Sequence, residues 1–212
     1  MISQFITNKD RKFLSVIQAN LRSCKEFYIR VSFIKKAGLI FLLNDIKSAI
    51  ERGVKGKLIT STYQNFTDVE SLKFFLNLSN AFDNFECHLD DECFYDERNY
   101  TTCGFHTKGY LFEFEDRSEL IIGSSNITRY ALLKNIEWDL VVDCKKDEEP
   151  YKSAHIEFND LWNRTHSLTQ ERVDIYAQKL NFAIERWDMD YDLAEQRVKP
   201  NYMQRQALKE LN

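Results

Sequence analysis

The chain has 212 residues, 43% of them hydrophobic, 14% aromatic and 29% charged, with a formal net charge of −4. That length and mixture suit one substantial core with a smaller appendage, and two prolines and six glycines leave no low-complexity linker. No run approaches the ~20 apolar residues of a membrane span, and the opening MISQFITNKDRKF turns polar too early for a signal peptide. Five scattered cysteines without CxxC pairing predict reduced thiols and a cytoplasmic location; Cys87 and Cys93 around His88 fit no standard zinc spacing, so no metal is assigned. The mild negative charge argues against strong DNA affinity by this piece alone, and Lys35-Lys36, Arg52-Lys55-Lys57 and Arg129-Lys134 read as solvated element ends.

In chain order, residues 8–23 carry Phe13, Leu14, Ile17 and Leu21 at helical spacing, with Asn8 as the expected N-cap. EFYIRVSFI (26–34) alternates as a strand, LIFLLNDIKSAIERG (39–53) is an amphipathic helix ended by Gly53, and GKLITST (56–62) is a strand. This strand–helix–strand order predicts a parallel pair with a crossover. Thr67-Asp68-Val69-Glu70 has the form of a capping box opening a helix to about residue 78. FECHL (85–89) reads as a strand and DDECFYDERN (90–99) as a loop. Strands at 105–115 and 119–123, a polar turn 124–126, a short helix near 128–134, a strand 136–142 and helices over 149–164 and 168–187 complete the pattern. The sum is an α/β fold whose mixed, largely parallel β-sheet is flanked by helices, with a helical C-terminal extension. The expected division is 1–165 for the main domain and 166–212 for the extension.

Three groups of polar residues interrupt the apolar middle of the chain. In FHTKGYLF (105–112), His106 and Lys108 lie two apart, which in an extended chain places them on one face. Gly123-Ser124-Ser125-Asn126 follows a strand, and Asn135-Ile136-Glu137-Trp138 opens the next. Taken singly, these are a structural histidine, an ordinary turn and a strand-edge glutamate. Their order and spacing give them joint meaning.

The series resembles the phospholipase D superfamily, whose signature is H-x-K followed after a spacer by G-S-x-N. It is closest to the nuclease branch, where F-H-x-K-x-x-x-F precedes I-G-S-S-N-[LI]-T, A-L and N-x-E-W. Here the matching residues are Phe105 to Lys108, Ile122 to Thr128, Ala131-Leu132 and Asn135 to Trp138, and the resemblance spans roughly residues 25–165. It implies metal-independent phosphodiester cleavage of DNA without a cofactor. His106 would attack phosphorus to form a phosphohistidine; Lys108 and Asn126 would hold the phosphoryl oxygens, with Ser124 and Ser125 as further substrate-binding residues. Glu137 would orient a histidine ring, in place of the aspartate many members carry five positions after the lysine, where this chain has Glu113.

One imidazole cannot be nucleophile and leaving-group acid together, although the ordinary pKa of about 6.5 lets histidine play either part near neutrality. Members of the superfamily carry two motifs or pair two chains. His88, His155 and His166 are followed at +2 by Asp90, Glu157 and Leu168, so this chain has one motif, and the resemblance implies a C2 homodimer. The tail VKPNYMQRQALKELN (198–212) resembles the P-x-x-x-Q-x-x-A-L segment ahead of the nucleotide loop of superfamily-two helicases. No G-x-x-x-x-G-K-[ST] occurs, so ATP would belong only to a motor outside this sequence. The expectation is the N-terminal nuclease domain of a helicase or restriction protein; the alternative is a catalytically silent module that dimerises or positions DNA. A lipid-acting phospholipase is disfavoured by the lack of a basic interfacial helix.

Overall fold

A computed structural model describes residues 3–91 and 104–181. The chain divides into two compact units, 1–173 and 174–212. Of the second, residues 174–181 are described and are helical; the expected helicase-like tail at 198–212 lies outside the described residues.

The first unit is built on one eight-stranded sheet, β1 (Ser3–Ile6), β2 (Glu26–Val31), β3 (Lys55–Ser61), β4 (Phe85–Asp90), β5 (Lys108–Glu113), β6 (Ser118–Gly123), β7 (Asp139–Cys144) and β8 (His166–Ser167). Their spatial order is β1-β7-β6-β5-β2-β3-β4-β8. The crossover pairs β2–β3 and β3–β4 are parallel, as the strand–helix–strand order predicts. The other five pairings are antiparallel, so the sheet is mixed but not largely parallel. For β5 and β6 the reason is connection length. Only residues 114–117 join β5 to β6, too few for the dozen or more residues a parallel return needs.

Helices α1 (Phe13–Ser23), α2 (Lys36–Leu39), α3 (Leu43–Glu51), α4 (Val69–Ala81), α5 (Arg129–Leu133) and α6 (Glu149–Arg164) flank the sheet. Of the predicted stripe in α1, Phe13, Ile17 and Leu21 are at zero exposure, each contributing on the order of 1.5–3 kcal/mol, while Leu14 is half-buried. Asn8 does serve that helix, but from five residues away. In a left-handed conformation (φ 64°), its Oδ1 accepts from the Phe13 N–H at 2.7 Å, while Nδ2 donates to the Ala131 and Asn135 carbonyls.

The expected helix over 39–53 is instead two helices. Gly38 lies against the Thr128 backbone, where a Cβ would come within 2.5 Å, and Lys35 N–H donates to the Ile127 carbonyl. This seats α2 on the segment after β6 and forces a break before α3. The capping box does not form either. Asp68 is the N-cap of α4, but its carboxylate accepts from the Lys36 N–H and Lys35 Nζ, and Glu70 pairs with Lys36.

On the opposite face, α6 packs Tyr151 and Phe158 against Tyr28, Leu111, Leu120 and Phe105. Cys24, Cys87 and Cys144 are buried free thiols. Burial pushes the thiol of Cys24 up to about 12. Among the described residues, no helix is long and apolar enough to cross a membrane.

Candidate active site

Every predicted site residue lies at one end of the sheet, where β2, β3 and β6 finish and β5 and β7 begin. Val31 pairs with Lys108, Gly109 with Ile122, and Gly123 with Asp139, so the three polar groups are carried to adjacent strand ends. The expected strand from residue 105 begins only at Lys108, because β2, its partner, ends at Val31. His106 is therefore a coil residue, exposed just outside the sheet, and Lys108 is the first strand residue.

Lys108 is 8% exposed. Its Nζ donates to the His106 carbonyl at 2.9 Å and lies 3.0 and 3.1 Å from the two ring nitrogens. The in-plane lone pairs of an imidazole diverge, so one ammonium cannot donate along both; it sits against the Nδ1–Cε1–Nε2 edge instead. Burial lowers the Lys108 pKa from the ordinary 10.5, and the nearby Glu137 carboxylate partly opposes that shift.

The turn after β6 assigns a separate task to each of its four residues. Gly123 is required by close approach, since a Cβ would come within 2.1 Å of Asp139 Oδ1 and 2.3 Å of the Trp138 carbonyl. The Ser124 hydroxyl donates to Glu137 Oε2 at 2.5 Å and accepts from the Trp138 N–H at 3.1 Å. Ser125 is fully buried, and its hydroxyl and N–H both donate to Asp139, at 2.6 and 3.2 Å. Asn126 is 6% exposed, and its Oδ1 accepts from the Phe33 N–H at 3.2 Å. With the carbonyl end of that amide fixed, its NH2 end is the donor left for an anion.

Glu137 precedes β7, and its other oxygen accepts from Asn135 Nδ2 at 3.2 Å. In one chain, then, Glu137 is held by Ser124 and Asn135. Its field reaches Lys108 and the buried Tyr110, whose phenol burial pushes well above its ordinary value. The Tyr110 hydroxyl donates to the Ser125 carbonyl at 2.8 Å.

Two supports were missed in the sequence. Asp139 is 1% exposed; burial raises its carboxyl above 3.8, against the lowering effect of the Ser125 hydrogen bonds. An aspartate inside the apolar run I-E-W-D-L-V-V was the available signal. Tyr63 lies edge-on to His106, with ring centroids 6.2 Å apart, and carried no sequence signal.

Glu113 stands at the far end of β5, five residues and about 17 Å from Lys108. There it accepts from the Tyr151 hydroxyl at 2.5 Å and pairs with Lys146, tying α6 to the sheet.

A sheet whose single H-x-K strand lies beside a G-S-S-N turn and an E-W segment is the architecture of phospholipase D-like domains. The family model for the cardiolipin synthase, PLD-like domain matches residues 17–162, and the chain belongs to that family. Among solved structures it is similar to Nuc of Salmonella typhimurium, a phospholipase D family member, at 18% identity and a TM-score of 0.58 over 78% of this chain and 97% of that one. NucT of Helicobacter pylori gives 16% identity and a TM-score of 0.58 over 78% and 98%. TrmBL2, an archaeal chromatin protein, gives 16% and 0.51 over 78% and 54%. No curated protein matches the chain in sequence.

Proposed function

We propose that this chain is a metal-independent phosphodiesterase that cuts DNA through a phosphohistidine, acts as a homodimer, and is the N-terminal nuclease domain of a larger helicase or restriction protein. The observation that carries the reading is the Lys108 ammonium, buried and in contact with an exposed imidazole, next to an Asn126 amide whose donor end remains for a ligand. Among the described residues this cation has no carboxylate at contact distance, which suits a phosphate diester bound in front of His106.

The reaction proceeds in two displacements. A ring nitrogen of neutral His106 bonds to phosphorus as the P–O bond to the leaving group breaks, and that oxygen takes a proton from a second imidazole. Water then loses a proton to that second imidazole and attacks phosphorus, which releases His106. Lys108 and Asn126 stabilise the charge on the non-bridging oxygens in both steps. Ser124 and Glu137 set the turn and the field around Lys108, and Ser125 acts on the turn through Asp139.

The second imidazole is His106 of an identical chain, since no other histidine carries the motif. Surface next to the site supports such a contact. Leu140 pairs with Ile122 on one side and Phe5 on the other, and Trp138 packs edge-on to Phe5 at 5.5 Å. All four are 44–68% exposed, forming an apolar strip across β6, β7 and β1. Its expected occupant is the same strip of a second copy.

The test is incubation of single-stranded and duplex DNA with the protein in EDTA. Cleavage should survive chelation and fall on the order of 10³–10⁴-fold in His106→Ala. Leu140→Arg should shift the protein from dimer to monomer in sedimentation and abolish cleavage. A wild-type protein that cuts DNA as a strict monomer overturns the dimeric mechanism.

A further inference from the structure

Beside the catalytic groups runs a second set of side chains that the chemistry above does not use. Phe33 follows β2 and Phe66 follows β3, both at the site end of the sheet. Their rings are 5.3 Å apart, inclined at 60°. Phe33 is the residue whose N–H holds Asn126 Oδ1, so the pair is anchored one bond from the phosphate-binding amide. Tyr63, on the same segment as Phe66, faces His106, and Gly104 leaves room for its ring, since a Cβ there would lie within 2.4 Å of it. Phe66 remains 45% exposed.

The segment bearing these rings is held in an unusual shape. Gln64 and Asn65 are consecutive non-glycine residues at φ of 54° and 58°, a left-handed conformation that costs on the order of 1 kcal/mol or more per residue. It is fixed at both ends. Thr67 Oγ1 donates to the Ser61 carbonyl at 2.6 Å, and the Tyr63 N–H donates to Ser61 Oγ at 3.2 Å. A pinned, strained turn that keeps a phenyl ring in water beside a phosphate site is not explained by core packing.

Resting on the phosphodiesterase reading, we infer that Phe66, backed by Phe33, is a specificity-determining platform that stacks an unpaired nucleobase next to the scissile phosphate, so that the preferred substrate is single-stranded. A nucleobase offers a π-face in a single strand but not in an intact duplex, where both faces are covered by neighbouring bases. Each base–aromatic stack is worth roughly 5- to 150-fold in affinity. The spacing also fits: the ring pair adjoins Asn126, and adjacent phosphate and base of one nucleotide lie within a few ångströms of each other. A membrane interface would also accept an exposed phenylalanine, but through its apolar volume rather than its π-face, and the strained turn presents a ring pair rather than an apolar rim.

Binding separates these possibilities without depending on turnover. Fluorescence anisotropy of labelled oligothymidine, a duplex of equal length and an abasic oligomer of equal length would be measured against wild type, Phe66→Leu and Phe66→Trp. Wild type should bind oligothymidine at least ~10-fold more tightly than the abasic strand. Phe66→Leu should remove that difference while leaving duplex and abasic binding unchanged, and Phe66→Trp should restore it. Equal affinity of wild type for the thymidine and abasic strands, or retention of the preference in Phe66→Leu, overturns the platform. Wild-type sedimentation with phosphatidylglycerol vesicles that survives in Phe66→Leu but not Phe66→Ala also overturns it, in favour of a membrane contact. Failure of the phosphodiesterase reading shows separately, as cleavage indifferent to His106→Ala.

Discussion

The two ends of β5 bury opposite charges and treat them differently. At one end, the Glu113 carboxylate is 3% exposed, with Tyr151 donating to one oxygen and Lys146 paired with the other. At the other, Lys108 is 8% exposed and has, among the described residues, an imidazole and a carbonyl but no carboxylate in contact. Burial disfavours any ion, and a fold tolerates it when the partner is already in place. Glu113 has its partners within the chain and is part of the scaffold. Among the described residues, Lys108 has a carbonyl and the edge of an imidazole as partners but no opposite charge in contact, an environment that suits an anion.

The contrast can be broken first at Lys108. Lys108→Met should lower phosphodiesterase turnover on the order of 10²–10³-fold. It should also raise the melting temperature, since replacing a buried, uncompensated ion with an apolar side chain is often stabilising, by ~0.5–2 kcal/mol here. A loss of activity with a lower melting point would mean that Lys108 is scaffold after all.

Turnover against pH sharpens the same point. The folded-state pKa of Lys108 is below 10.5, so the ammonium is present at low pH and disappears as pH rises through that depressed value. Activity should fall on the alkaline side before an ordinary lysine would titrate. Stability moves the other way over this window, because the unfolded chain binds the extra proton there. A profile flat up to pH 10.5 would contradict the depressed value.

A smaller effect is expected beneath the turn. Asp139→Ala leaves the buried Ser125 hydroxyl and N–H without an acceptor, costing about 1–3 kcal/mol, and should reduce turnover by letting Asn126 drift. Calorimetry and kinetics on one preparation check both. Smallest is Glu113→Gln, which keeps an acceptor for Tyr151 and removes the pair with the half-exposed Lys146. The expected cost is about 1 kcal/mol, or roughly 2–4 °C, with turnover unchanged. A large drop in turnover would undo the scaffold assignment of that end.

Much of this was legible in the residues. The elements of the β2–α4 crossovers follow from alternation and helical spacing, and the residues of the H-x-K, G-S-S-N and N-x-E-W series come together at one sheet end. Long-range geometry was not legible. The five antiparallel pairings follow from which strands become neighbours in space, and local pattern fixes only the crossover pairs. Helix 39–53 breaks because Gly38 meets the Thr128 backbone, 90 positions away in sequence. Thr67 and Glu70 have the spacing of a capping box, but lysines 35 and 36 draw Asp68 and Glu70 to themselves. Asp139 was hidden because a lone acid in a strand has the same sequence appearance whether it faces water or holds a turn. Tyr63 and Phe66 were hidden because aromatic residues in a loop reveal nothing of the rings they meet in space, His106 and Phe33.

The stitch made by Asn8 has a practical side. The span that matches the family begins at residue 17, and a minimal fragment cut there would drop β1 and Asn8 together. Such a fragment would leave β7 as an unshielded border strand carrying Leu140 and the segment that bears Glu137, and would release the Ala131 and Asn135 carbonyls from their tether. Trimming to the recognisable family core would therefore yield a sticky, self-associating fragment with a loosened candidate-site turn, and the sixteen residues ahead of that core belong in any version used for assay.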